Sequence, residues 1–350
     1  MTTLLLENLH FLSLFSLILL LSAHTTKSQI SPNAQPAKPI IIQPYIIDYR
    51  NGTVSRYISS PPSFVPAPND AHVQSKDIVI PSSSNHNLRA RVFLPARPEP
   101  GRKIPVLIYF HGGAFCIGSP FSWGDSHYVA RVSAETRVLA IAIDYSLYPE
   151  FTVPAPYDDA WAALEWVAAH TSRMGPGHDW WVARYGDLKR IFVGGDSAGG
   201  NVAHNLAIRA GMGHGPKITG LFLAMPYFLG SKRVPLEPKY ITSSPNYKVW
   251  PYVCGNCSGG VDNGYMNPFG PGAPSIARLG CRKLLVYTAE VDELRGRGVW
   301  YYEKVKKSKW AGQAHWVEAR GKTHIFHISE PEDPATTKLI QDLSAFINSD

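Results

Sequence analysis

Apolar positions along this chain come in runs of strand length. Residues 104–110 and 138–144 are continuous, with β-branched and aromatic members, and 190–194, 218–225, 283–288 and 314–319 repeat the pattern. Such runs suit strands buried on both faces. Between them lie segments of helical spacing at 127–136, 158–169, 198–210, 294–308 and 336–347. Strands alternating with helices predict an α/β fold, a mostly parallel central sheet with helices on both faces. Ahead of this series, 77–81 and 88–94 flank a turn-prone stretch and read as a hairpin or meander.

Three segments break the rhythm. Residues 11–21 are almost entirely apolar and are followed by small and polar residues up to Ser28, so residues 1–28 read as a signal peptide, although Glu7 stands where a positive residue is usual. The run is short for a membrane span of about 20 residues, and no other stretch is long enough, so no stable membrane span is expected after cleavage. Residues 29–75 are rich in proline, serine and asparagine and are expected to form a loosely structured arm. Residues 76–350 then form one domain, interrupted at about 227–277 by an insertion rich in glycine, proline and aromatics. An insertion of that length on a rigid sheet suits a lid, in which Tyr240, Tyr247, Trp250 and Tyr252 can line an apolar pocket or simply hold the loop together.

The chain has 350 residues, 45% of them hydrophobic and 17% charged, with a formal net charge of +7. That is long enough for a sizeable core and unlike a disordered or coiled-coil chain. The basic residues are scattered, which gives no footprint for nucleic acid; the dense stretch 304–309 reads as a solvated helix face. Sequons at Asn51 and Asn256 are compatible with a secretory, glycosylated protein. Cys254 and Cys257 can pair locally, but four cysteines in all make neither a disulfide framework nor a zinc site. Gly321-Lys322-Thr323 resembles the end of a phosphate loop, but Trp316 occupies the position of the required upstream glycine. No metal or cofactor is implied.

Chemistry enters at Gly195-Asp196-Ser197-Ala198-Gly199-Gly200, a G-x-S-x-G pattern between a predicted strand and helix. Small neighbours permit the tight turn that lifts a serine hydroxyl above a sheet edge. His111-Gly112-Gly113-Ala114-Phe115 follows another strand, and the N–H groups of Gly112 and Gly113, with that of Ala198, can face an oxyanion. His111 reads as structural. A serine needs a base and an orienting carboxylate, which in this fold follow it in the order acid, histidine. Asp292, with Glu290 and Glu293 as alternatives, and His324, ahead of His327 and His315, meet that order at strand ends. The expected assignment is Ser197 as nucleophile, His324 as general base and then acid, and Asp292 as its orienting partner.

These motifs, with Tyr109-Phe-His-Gly-Gly-Ala-Phe115, Ala289-Glu-Val-Asp292, Arg297-Gly-Val-Trp-Tyr-Tyr-Glu303 and Gly321-Lys-Thr-His-Ile-Phe-His327, resemble plant carboxylesterases of the hormone-sensitive-lipase-type branch of the α/β-hydrolases from about Ile46 to the C-terminus. The resemblance implies an α/β-hydrolase fold with a lid, an arm that helps cap the site, and the same triad and oxyanion hole. It implies a serine carboxylesterase acting on a small or medium, fairly apolar ester, with no cofactor, and leaves the oligomeric state open. The chain is similar also to 2-hydroxyisoflavanone dehydratase, so elimination or cyclisation in plant specialised metabolism is the first alternative. Some dehydratases of that kind carry threonine at the elbow, and Ser197 favours hydrolysis. The gibberellin-receptor relatives lack the triad histidine, so His324 argues against the second alternative, a binding protein with a vestigial site. Two departures stand out. Ala114 replaces a glycine, at small cost if its φ is not positive, and 144–150 lacks the usual arginine, so Ser146 and Tyr148 are expected to reshape packing behind the elbow. The resemblance also makes a signal-like leader unusual, since such relatives are mostly cytosolic.

Overall fold

Strand β6 (Ile104–Phe110) shows how the chain separates two cores. Its alternate residues Val106, Ile108 and Phe110 join one buried cluster, and Leu107 and Tyr109 join the other. Side chains of successive strand residues point to opposite faces, so a strand apolar throughout must be covered twice. The computed structural model describes residues 38–57, 65–81, 87–99, 101–170, 177–213 and 215–349.

Flanking β6 are β4 (Val73–Ile80), β5 (Leu88–Pro95), β7 (Leu139–Asp144), β8 (Gly186–Asp196), β9 (Gly220–Ala224), β10 (Lys283–Ala289) and β11 (Gln313–Ala319). They form one eight-stranded sheet in the order β11-β10-β9-β8-β6-β7-β5-β4. β5 pairs antiparallel with both neighbours, and every other pairing in this sheet is parallel. One face is covered by α1 (Trp123–Thr136) and the C-terminal α7 (Pro334–Asn348), through residues such as Val129, Val132, Leu339 and Leu343. The other carries α2 (Ala155–Ala169), α4 (Ala198–Gly211) and α6 (Arg295–Lys306). Between α2 and β8 lies the short α3 (Trp180–Tyr185), capped by Asp179, whose Oδ1 accepts from the N–H of Trp181. The expected α/β-hydrolase architecture is present, with β4 starting earlier and β8 and α1 longer than the apolar patterns alone suggest.

The arm departs from expectation. Its residues 40–56 make β1 (Ile40–Ile42), β2 (Ile46–Asp48) and β3 (Val54–Arg56), a separate antiparallel sheet. Ile42 and Ile46 are buried in the main core, so what reads as a loose arm is anchored by its own hydrophobic side chains. The leader at 1–28, residues 29–37 and 58–64 of the arm, and residues 82–86 of the turn expected at 82–87 lie outside the described residues. Among the described residues, no helix is long and apolar enough to cross a membrane.

The insertion folds around α5 (Pro245–Val253), capped by Ser244. Trp250 is fully buried and packs against Phe115, with ring centroids 6.0 Å apart, and its indole N–H donates to the carbonyl of Gly260. Tyr247 is half-buried against the core, whereas Tyr240 and Tyr252 are exposed. Cys254 and Cys257, just after α5, form a disulfide, and Cys116 and Cys281 are buried thiols.

Candidate active site

Two strand registers assemble the site. β6 and β8 are paired with Phe110 opposite Gly195, so the loop that follows Phe110 emerges beside the turn at Ser197. β10 and β11 are paired with Ala289 opposite Ala319, which brings the segments carrying Asp292 and His324 out together. These two segments are tied by the N–H of Val291 donating to the Lys322 carbonyl at 2.9 Å, and by the N–H of Gly321 donating to Glu290 Oε2 at 2.8 Å. Lys322 in turn forms ion pairs with Glu330 and Asp333, which fix the loop just before His324.

Ser197 sits between β8 and α4 at φ 52° and ψ −118°, a strained conformation that turns the chain sharply. The turn depends on close approach: a Cβ on Gly199 would lie 1.9 Å from the Phe110 carbonyl oxygen. The N–H of Ser197 donates to Ala224 and its carbonyl accepts from Tyr227, which hold the turn from both sides.

His324 Nε2 lies 2.9 Å from Ser197 Oγ, and its Nδ1 lies 2.8 Å from Asp292 Oδ2. Asp292 is buried, and its other oxygen accepts from the N–H of Leu294 at 2.9 Å, so the carboxylate is fixed at both ends. Burial alone would push the His324 imidazole down; the charge and hydrogen bond of Asp292, with the charges of Asp196 and Glu293, outweigh it and hold the pKa above the ordinary histidine value. The alternatives are placed elsewhere. Glu290 holds Gly321, Glu293 Oε1 accepts from Asn246 Nδ2 at 2.6 Å, His315 is exposed on β11, and His327 is fully buried.

Gly112 and Gly113 leave β6 toward the elbow, and Ala198 begins α4, where the first N–H groups have no partner within the helix. Gly113 adopts φ +108°, and a Cβ there would stand 2.1 Å from the Ile117 carbonyl oxygen, so the turn requires glycine. His111 is structural, as expected: it is buried, stacks on Tyr145 with ring centroids 4.4 Å apart, and its Nδ1 lies 2.7 Å from the Gly112 carbonyl oxygen. Ala114 does adopt a positive φ, 52°, and Phe115 follows at 62°. The condition for a small cost is therefore not met, and each residue carries a penalty of about 1 kcal/mol. What holds them is the N–H of Cys116 donating to Gly113, the N–H of Tyr148 donating to Phe115, and the Phe115 ring set among Tyr145, Tyr157, Tyr227 and Trp250.

The segment 144–150 also behaves differently from expectation. The N–H of Ser146 donates to Asp159 at 2.8 Å, while Tyr148 and Glu150 face the arm rather than the back of the elbow. There Arg56 of β3 donates to the Cys116 and Tyr148 carbonyls and pairs with Glu150. A second link was invisible in the sequence. The Tyr45 hydroxyl donates to Asn246 Oδ1, and Asn246 donates to Glu293, next to Asp292. No spacing joins positions so far apart, and only the fold shows the bridge.

Residues 107–328 match the family described as the alpha/beta hydrolase fold. The chain is 43% identical to 2-hydroxyisoflavanone dehydratase of Glycyrrhiza echinata over 87% of its own length and 95% of that protein. It is 35% identical to tuliposide A-converting enzyme 1, chloroplastic, of Tulipa gesneriana, over 98% of this chain and 88% of the other. Among solved structures, a hyperthermophilic esterase from the archaeon Pyrobaculum calidifontis superposes with a TM-score of 0.62 at 28% identity, covering 78% of this chain and 85% of that one. A mostly parallel sheet with a sharp turn at Ser197, together with these matches, places the chain in the α/β-hydrolase family as an enzyme of its hormone-sensitive-lipase-type plant branch.

Proposed function

We propose that the protein is a serine carboxylesterase that hydrolyses a small or medium, fairly apolar carboxylic ester. The observation that carries this reading is the unbroken chain of contacts from Asp292 through His324 to Ser197 Oγ. In the proposed mechanism Oγ attacks the ester carbonyl while His324 Nε2 takes its proton, and Asp292 holds the tautomer and stabilises the imidazolium. The N–H groups of Gly112, Gly113 and Ala198 receive the oxyanion. His324 then protonates the leaving alkoxide, leaving an acyl-enzyme on Ser197, and the same imidazole activates the water that releases the acid. The β1–β3 sheet and the insertion at 227–277 are the proposed cap and lid of this site.

The test is turnover of an activated short-chain ester, with mass mapping of a fluorophosphonate label. Label on Ser197, and loss of turnover by several orders of magnitude in a folded Ser197→Ala variant, support the reading. A variant as active as the parent sinks it.

The 43% identity to a dehydratase favours a second reading, elimination of water from a hydroxylated substrate on the same scaffold. Product masses separate the two, because hydrolysis adds water and elimination removes it. Ligand binding without labelling or turnover would point instead to the vestigial site.

The leader is proposed to direct secretion. Asn51 and Asn256 of the two sequons are both exposed, and the Cys254–Cys257 disulfide suits an oxidising compartment. Glycosidase sensitivity of the protein from its own tissue tests this. Recovery in plastids, the compartment named for the tulip relative, would overturn it.

A further inference from the structure

The proposed mechanism leaves one buried acid beside the nucleophile without a task. Asp196, the residue before Ser197, is 1% exposed. Its Oδ1 accepts a 2.8 Å hydrogen bond from the Tyr109 hydroxyl. Its Oδ2 lies so close beneath the oxyanion loop that a Cβ on Gly112 would stand 2.4 Å from it. The carboxyl cannot swing away, because Tyr109 is itself buried in β6 and packs on Tyr128 of α1 with ring centroids 5.7 Å apart.

The titratable groups that act on this carboxyl come from several elements: Tyr109 from β6, Asp125 and Tyr128 from α1, Tyr145 just after β7, and His324 from the loop beyond β11. His324 is the one among them that becomes a cation during the reaction. Burial and the Asp125 charge push the Asp196 carboxyl up to about 7, while the Tyr109 hydrogen bond and His324 oppose that rise.

We propose that Asp196 is a second acidic positioning residue, which props the oxyanion loop at Gly112 and, when ionised, stabilises the imidazolium that His324 becomes on taking the Ser197 proton. The proposal rests on the serine-esterase reading above. Asp292 acts by a hydrogen bond to Nδ1; Asp196 acts by its charge from the elbow side, and no proton passes to it. The sign follows directly. A negative Asp196 favours protonated His324, so removing the charge makes the imidazole easier to deprotonate and moves the acidic limb of the rate profile to lower pH.

Asp196→Asn keeps an acceptor for Tyr109, and with it the support beneath the loop. The readout is the rate at which a fluorophosphonate labels Ser197 as a function of pH, which needs only nucleophile and base and is independent of the natural substrate. The acidic limb should fall by about half a pH unit and the plateau rate by about 3- to 30-fold. Tyr109→Phe removes a hydrogen bond that favours the ionised acid, and should move the limb the same way by a smaller amount. It serves as the second variant if Asp196→Asn does not fold. An acidic limb identical to the parent's in a folded, labelled variant overturns the proposal and leaves Asp196 a packing group. Failure of the parent itself to label at Ser197 at any pH overturns the esterase reading, and this inference falls with it, so the two failures look different.

Discussion

His324 and His327 stand three residues apart, and the fold gives them opposite surroundings. The His324 side chain is 27% exposed, has both ring nitrogens engaged, and its pKa is raised. His327 is completely buried, packs edge-on against Tyr128 with ring centroids 4.5 Å apart, and neither nitrogen has a partner among the described residues. Burial, with the neighbouring His324, drives its pKa down to about 3. The difference teaches that an imidazole is placed to serve as a base where a fixed carboxylate faces it and a hydroxyl lies within reach, and is left as packing material where neither does.

The comparison can be broken most directly at His324. His324→Gln should lower ester turnover by about 10⁴-fold or more with the fold retained, checked by steady-state kinetics beside circular dichroism. Asp292→Asn sharpens the point, because it keeps the geometry but removes the charge that raises the imidazole; a loss of about 10³- to 10⁴-fold is expected, together with an acidic limb at lower pH. His327→Leu should leave kcat within about threefold. A loss there as large as at His324 would mean that the wrong imidazole has been assigned.

The smallest effect concerns acid stability. His327 takes up a proton near pH 6.5 when unfolded but resists it to about 3 when folded. As pH falls through that window the unfolded state gains protons that the folded state refuses, and stability drops by up to about 1.4 kcal/mol per pH unit for this group. His204, buried in α4 and likewise pushed down to about 3, adds a similar slope. Urea unfolding between pH 7 and pH 4 should therefore show a shallower loss in His327→Leu than in the parent. Parallel curves would show that His327 titrates normally.

The parallel sheet, the elbow and the order serine, acid, histidine were legible because each rests on local pattern: apolar runs, small residues at a turn, and charged residues at strand ends. Position alone prefers Asp292 over Glu290 and Glu293; in three dimensions Asp292 faces His324, while Glu290 and Glu293 are held by Gly321 and Asn246. Ala114 shows the opposite case. Its composition suggests tolerance, but its backbone is forced left-handed by a loop whose restraints come from Tyr148 and from the aromatic cluster around Phe115. The arm was misread for a related reason: proline and serine content signals looseness, whereas Ile42 and Ile46 find a core only once the sheet beneath them exists.

Asn246 touches three parts of the chain at once, receiving the hydroxyls of Tyr45 and Tyr227 and donating to Glu293. The arm, the insertion and the turn that carries Asp292 are therefore joined through one side chain. A chimera that imports the insertion from a relative without its matching arm would leave Tyr45 or Glu293 facing a stranger, so diversification of this scaffold is expected to exchange these segments together.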